Sequence, residues 1–261
     1  MRNIKIYQID AFTSEVFKGN PAAVCPLKEW LPEILMQKIA AENNLSETAF
    51  YVPEKDGFYI RWFTPTTEVE LCGHATLASA HVLFEHEQYL KNEIIFYCQV
   101  GKLKVTKSNG LIHLDFPSSS LQETKIPSSL ITALGKTPLS YYTKGLFGMA
   151  IFSTENDIKN CSVDFSELKK VNESIIIITS SGDKVDFVSR VFGPKVGINE
   201  DPVTGAAHTR LIPYWSEKLN RKTLSAAQLS ERGGQLYCED KGEIVLISGN
   251  AVTYLVGEIF I

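Results

Sequence analysis

Apolar and polar positions alternate over short stretches of this chain, and the alternation predicts strands before anything else. Ile4-Lys-Ile-Tyr-Gln-Ile9 has period two, and a turn at Gly19-Asn20-Pro21 leads into a second short strand at 22–25. Between 31 and 44 the spacing changes. Ile34, Leu35, Ile39 and Ala40 recur as on one face of a helix, with Pro32 in its first turn and Asn43-Asn44 at its end. Runs at 48–53 and 58–63 flank Glu54-Lys-Asp-Gly57, a hairpin signal. Residues 73–85 are small or apolar nearly all round, which predicts a buried helix. A meander is predicted at 94–98, 102–106 and 111–116.

Much of this pattern recurs. A second hairpin is predicted at 175–179 and 185–192 around Ser180-Ser-Gly-Asp183. A second small-residue helix begins near 206, with Pro213 expected to kink or end it, and a second meander follows at 224–229, 235–238 and 243–248. Arg61-x-Phe63-x-Pro65 returns as Arg190-x-Phe192-x-Pro194, 129 positions later (190 − 61), and His81 returns as His208, 127 later (208 − 81). In that register His74 is matched with Asp201. The Ser- and Pro-rich stretch 117–129 reads as the connection, and the last strand, 251–261, is free to return to the first half. The expected architecture is α+β, with two pseudo-symmetric lobes, 1–118 plus 250–261 and 119–249. Each is a mixed sheet or barrel wrapped around a central helix, with the site in the cleft between them.

Composition narrows the function. A net charge of −4 argues against a nucleic-acid partner, which would need a basic face. Hydrophobic content of 44% with 21% charged residues is that of a soluble protein with a full core. The longest apolar runs, such as Ile175-Ile-Ile-Ile178, are far too short to span a membrane, and the N-terminus enters a strand without an apolar signal core. Five cysteines without a CxxC pair suggest neither a disulfide frame nor a structural zinc site, so a cytoplasmic setting is expected. A homodimer is a compatible assembly.

Several segments could carry chemistry. In Asn44-Leu-Ser46-Glu47-Thr48-Ala-Phe50, Glu47 sits between a helix and an apolar strand, where a partly desolvated carboxylate can act as a general acid/base; a solvated capping role is the plain alternative. In Leu71-Cys72-Gly73-His74-Ala75-Thr76, glycine at a helix start lets an anion approach the first-turn amides. The helix dipole there is expected to favour neutral His74. Asn199-Glu-Asp201-Pro-Val-Thr204-Gly205-Ala206 offers a second such nest beside an acid, or simply a helix cap by Asp201 or Thr204. Cys72 would suit a racemase that uses one thiol from each lobe, but no second cysteine lies near 199–205. His81 and His208 are expected to pack inside their lobes, and no metal-ligand spacing is present. Arg232, in a glycine turn, is either a carboxylate clamp or a solvated side chain.

Taken together, Asp10-Ala-Phe12, Phe17-x-Gly19-Asn20-Pro21-Ala-Ala-Val24, Asn44-Leu-Ser-Glu-Thr-Ala-Phe50, Arg61-x-Phe-x-Pro65, Glu70-Leu-Cys-Gly-His-Ala-Thr76, Glu200-Asp-Pro-Val-Thr-Gly205 and Gln228-x-Ser-x-Arg-Gly-Gly234 resemble the PhzF (phenazine biosynthesis-like) family nearly end to end. The resemblance implies a diaminopimelate-epimerase-like fold and isomerase chemistry without a cofactor. In the best-understood member a dihydro-hydroxyanthranilate is isomerised by proton transfer. It implies Glu47 as the acid/base and Gly73, His74 and Asp201 lining the cleft; with the anion nests read above, the expected site is Glu47, His74 and Asp201 as catalytic residues and Ser46, Gly73, Ala75, Gly205 and Ala206 around a small carboxylate-bearing substrate. It also implies that the thiols of the epimerase relatives are absent. Where phenazine-making members carry serine after Thr-Gly, this chain has Ala206, which removes one hydrogen bond worth about 1 kcal/mol.

Overall fold

The alternating start of the chain forms β1, Asn3–Ala11, in the computed structural model, which describes residues 3–261. The chain divides into two compact units, one of residues up to Phe116 with Leu246–Ile261, the other of Pro117–Val245. The first unit continues with β2 (Asn20–Pro26), α1 (Glu33–Asn43), β3 (Glu47–Glu54), β4 (Gly57–Phe63) and β5 (Glu68–Val69). Then come α2 (Gly73–Glu85), β6 (Glu93–Cys98), β7 (Gly101–Ser108) and β8 (Leu111–Pro117). The second unit contains β9 (Gln122–Thr124), α3 (Ser128–Leu134), β10 (Ser140–Lys144), β11 (Phe147–Ile151), α4 (Glu155–Lys159) and α5 (Phe165–Leu168). It goes on with β12 (Ile175–Ser181), β13 (Phe187–Gly193), β14 (Ile198–Asp201), α6 (Gly205–Leu219), β15 (Thr223–Gln228) and β16 (Gly234–Asp240). The chain returns to the first unit through β17 (Ile244–Gly249) and ends on β18 (Ala251–Phe260). Among the described residues no helix is long and apolar enough to cross a membrane.

Both units are α+β, and their sheets are built in the same succession. In the first, β18–β1, β1–β2, β3–β4, β6–β7 and β7–β8 are antiparallel, while β2–β3 and β4–β6 are parallel. In the second, β9–β10, β10–β11, β12–β13 and β15–β16 are antiparallel, and β11–β12 and β13–β15 are parallel. A parallel pair needs a long crossover. Here α1 and α2 supply the first unit's crossovers, and α4 with α5, then α6, supply the second's. The final strand pairs along the whole of β1.

Helix α2 is buried from His74 through Ala80 and packs against β1, β2, β3 and β18. Its small side chains permit that approach. Its hydroxyls are satisfied within the helix, Thr76 Oγ1 donating to Cys72 O and Ser79 Oγ to Ala75 O. On α1 the buried face is Met36, Ile39 and Ala40. Ile34, predicted inward, is 74% exposed because it falls on the opposite side of the helix from that face.

Two expectations are corrected. Of the two outcomes expected at Pro213, a kink or an end, the end is excluded: α6 runs on to Leu219. Proline removes the amide that would bond the Thr209 carbonyl, and the Ser119 amide of the connecting segment donates to that carbonyl instead, at 3.1 Å. The repeat register also shifts within each half. Arg61 pairs with Phe50 and Arg190 with Ile178, so β4 and β13 keep the 129 offset (190 − 61) while β3 and β12 are offset by 128 (178 − 50). The helices, however, start at Gly73 and Gly205, 132 apart (205 − 73). Three extra residues fall around the short 3₁₀ turn Pro194–Val196. His74 is therefore matched by Ala206, not by Asp201, and Glu47 by Ile175.

Candidate functional site

The repeated Arg-x-Phe motif is a strut. Residues two apart on a strand share a face, so each guanidinium lies over the phenylalanine that follows it, at 5.2 Å for Arg61–Phe63 and 5.0 Å for Arg190–Phe192. Each then forks one glutamate through Nε and Nη2. Arg61 reaches Glu68 at 2.7 and 2.6 Å, and Arg190 reaches Glu200 at 2.7 and 2.9 Å. These forks tie β5 to β4 and β14 to β13, and so fix the approach to the α2 and α6 N-termini.

In the first unit, α1 ends on Asn44 in the left-handed region (φ 49°), and the half-buried Leu45-Ser46 turn delivers Glu47 to the first position of β3. Neighbouring β2 begins with Asn20. Gly19 makes that possible, since at φ +64° an added Cβ would lie 2.1 Å from Ala11 O. Asp10 holds the same loop by accepting the Phe17 amide at 2.8 Å.

These elements converge on His74, which is 5% exposed. Its Nε2 lies 3.1 Å from Glu47 Oε2, an ion-pair distance without the alignment of a good hydrogen bond. On the other edge of the ring, Nδ1 lies 3.2 Å from Asn20 Nδ2 and 3.5 Å from Cys72 Sγ. A neutral ring can accept from Asn20 Nδ2 at Nδ1 and carry its proton on Nε2, toward Glu47; a charged ring donates from both nitrogens, and the Asn20 amide must then turn its oxygen to Nδ1. Burial alone would lower the His74 pKa, but the adjacent Cys72 sulfur and Glu47 carboxylate reverse this and raise it well above 6.5. The expectation that the helix dipole keeps His74 neutral is overturned, because a carboxylate at 3.1 Å outweighs partial charges at a helix end. Burial, then Glu47, push the Cys72 thiol up. The ligand atoms of Glu47, Cys72 and His74 lie within 4.8 Å of one another, an array of types that could hold a metal ion. Nδ1 is already engaged by Asn20, however, and the thiol is held toward its protonated form.

Asn20 is the member of this cluster that the sequence did not announce. It was legible as turn chemistry and as part of a family motif but not as a partner of His74, since nothing in one sequence links positions 20 and 74.

The predicted residues of the second unit are organised by Gln228, which is fully buried. It accepts the Thr204 amide at 2.9 Å and donates to Asp201 O at 2.7 Å, while Ser230 Oγ donates to Pro202 O at 2.8 Å. The Gln-x-Ser motif thus carries the Asp201–Thr204 loop. Thr204 stands at the N-cap position of α6, but its hydroxyl donates to Asp201 Oδ2 at 2.5 Å and does not cap the helix. Gly205 is buried and Ala206 exposed, at the first turn. Gly73 and His74 hold the equivalent places on α2, with Ala75 one residue on, and that helix also has no side-chain cap.

His81 and His208 are structural. His81 Nε2 meets Thr253 Oγ1 at 2.9 Å, and His208 Nδ1 meets Thr204 O at 2.8 Å. Burial lowers both from 6.5 to about 4. Between those values the unfolded chain binds a proton that the folded protein refuses. Stability is therefore expected to fall as pH drops from 6.5 toward 4. Urea midpoints measured across that window should fall less steeply in His208→Gln; an unchanged slope would refute the assignment to His208.

Comparison with known proteins agrees with this architecture. The chain is 47% identical to an uncharacterized isomerase of Halalkalibacterium halodurans, with all of both chains covered. It matches the crystal structure of a PhzF-family phenazine biosynthesis protein from Enterococcus faecalis with a TM-score of 0.97 at 48% identity, again over both whole chains. A predicted epimerase from Pseudomonas aeruginosa, 18% identical with 99% of each chain covered and a TM-score of 0.75, shares the fold. The family model for phenazine biosynthesis-like proteins (PhzC-PhzF) matches residues 9–257, and the chain belongs to that family.

Proposed function

We propose that this protein is an isomerase that moves a proton on a small carboxylate-bearing substrate, with Glu47 as the proton carrier. The observation that carries this reading is the Glu47–His74 pair, a half-buried carboxylate 3.1 Å from a buried imidazole whose charged form is favoured. Glu47 takes a C–H proton, the electron pair delocalises toward the substrate's conjugated system, and Glu47 returns the proton at another carbon. His74 places positive charge beside the carboxylate that gains the proton, and Asn20 orients the ring. The amides of Gly73 and Ala75 at the α2 N-terminus would hold the substrate carboxylate, with Ser46 at the adjoining turn. Substrate binding is proposed for Asp201, Gly205 and Ala206, where the backbone amides remain although the motif serine is missing. That no cofactor takes part rests on the family resemblance.

A second reading has its own observation. Cys72 Sγ lies 3.5 Å from His74 Nδ1, the separation of a thiol and its base. Against it stand the raised thiol and the want of a cysteine near the α6 N-terminus, where Thr204 holds the matching position. Cyclic and α-substituted carboxylates incubated in deuterated water would show which class exchanges a proton. With such a substrate, Cys72→Ala is expected to keep exchange within about tenfold, well short of the loss of a general acid–base group. Abolished exchange would transfer the proton to the thiol.

A further inference from the structure

A cavity of about 460 Å³ in the second unit is lined by Ser120, Tyr142, Met149, Arg210, Tyr214 and Lys218, among others, and includes none of Glu47, Cys72 or His74. Its volume is in the usual range for small-molecule sites. Arg210 makes it unusual. Arg61 and Arg190 each fork a carboxylate through Nε and Nη2. At Arg210 only Nη1 is bonded, to Ala206 O at 2.7 Å and Thr209 Oγ1 at 2.9 Å. Its buried Nε has no partner, and no carboxylate of the described residues is within ion-pair distance. One face of the guanidinium is covered by Phe147 at 3.6 Å. Burial lowers its pKa to about 10, which leaves it charged at neutral pH. A desolvated cation without a counter-ion is costly, and a bound anion would offset that cost.

The other lining groups define the anion. Tyr142 and Tyr214 pack edge to face with centroids 5.4 Å apart, and with Met149 they give an aromatic and apolar wall. Lys218 adds a second positive charge against the single carboxylate of Glu217 in the lining. A planar guanidinium beside aromatic rings suits a planar carboxylate on a flat ring. We propose that this cavity binds a small aromatic carboxylate, with Arg210 pairing its carboxylate and the packed Tyr142–Tyr214 pair forming a wall against its ring.

Calorimetric titration with benzoate, benzamide and inorganic phosphate tests this. Benzoate should bind the wild type at least tenfold more tightly than either benzamide or phosphate. Binding should be lost in Arg210→Met, which keeps the stem over Phe147, and kept in Glu47→Gln. Equal binding of benzamide, preference for phosphate, retention of benzoate by Arg210→Met, or its loss in Glu47→Gln would each overturn the proposal. If Arg210→Met does not fold by circular dichroism, Lys218→Met, on the exposed rim, serves in its place. A threefold or greater weakening of benzoate supports the site, and unchanged affinity rejects it.

Discussion

Glu47→Gln is expected to slow solvent-proton exchange into a turned-over carboxylate by about 10²–10⁴-fold or more, the usual contribution of a general acid–base group. Glutamine keeps the shape of the side chain at the start of β3 and can still hydrogen-bond, but it cannot carry a proton. The variant should therefore fold as the wild type does and bind substrate with little change, so that the loss falls on kcat and not on KM. That split separates a chemical role from a positioning one. A His74 variant should behave differently. The ring is buried among Asn20, Cys72 and Glu47, and its removal strands an amide and a carboxylate as well as a charge. Substrate exchange at near wild-type rate in Glu47→Gln, alongside its abolition in Cys72→Ala, would end the glutamate mechanism.

Local periodicity made most elements legible. The limits predicted for α2, 73–85, are those found, because small and apolar residues all round admit only a buried helix. The hairpins and meanders were legible for the same reason, since alternation and turn residues are local signals. The region between 130 and 172 was not. There β10 and β11 are short, the helices α4 and α5 have five and four residues, and their order comes from packing on β12 and α3. The repeat was visible but mis-registered. Matching histidines suggested an offset of 127 for the helices (208 − 81), whereas the matching glutamates of the two forks, Glu68 and Glu200, carry the 132 offset of the helix starts (200 − 68). Of the site, Glu47 and His74 were legible from what flanks them. That they meet, and that Asn20 joins them, depends on pairings of β2 and β3 that no local pattern contains.

The Arg190 fork should dominate the stability of the second unit. Arg190 and Glu200 are 14% and 22% exposed at their side chains, and Nη1 also donates to the carbonyls of Ile158 at 3.2 Å and Cys161 at 2.7 Å. Arg190→Met keeps the stem over Phe192 but leaves a carboxylate and two carbonyls unpaired. Breaking a largely buried pair costs about 3–5 kcal/mol. For a chain of this size, that corresponds to a Tm lower by roughly 6–20 °C. Glu200→Gln should cost less, because Arg190 retains both carbonyls. If the stranded carboxylate accounts for much of the penalty, the double variant Arg190→Met/Glu200→Gln should be no less stable than Arg190→Met alone. Thermal and urea unfolding of the three variants test this as a cycle. Additive losses, or a Tm within about 2 °C of wild type for Arg190→Met, a loss typical of an exposed ion pair, would show that the fork is a surface pair of little weight.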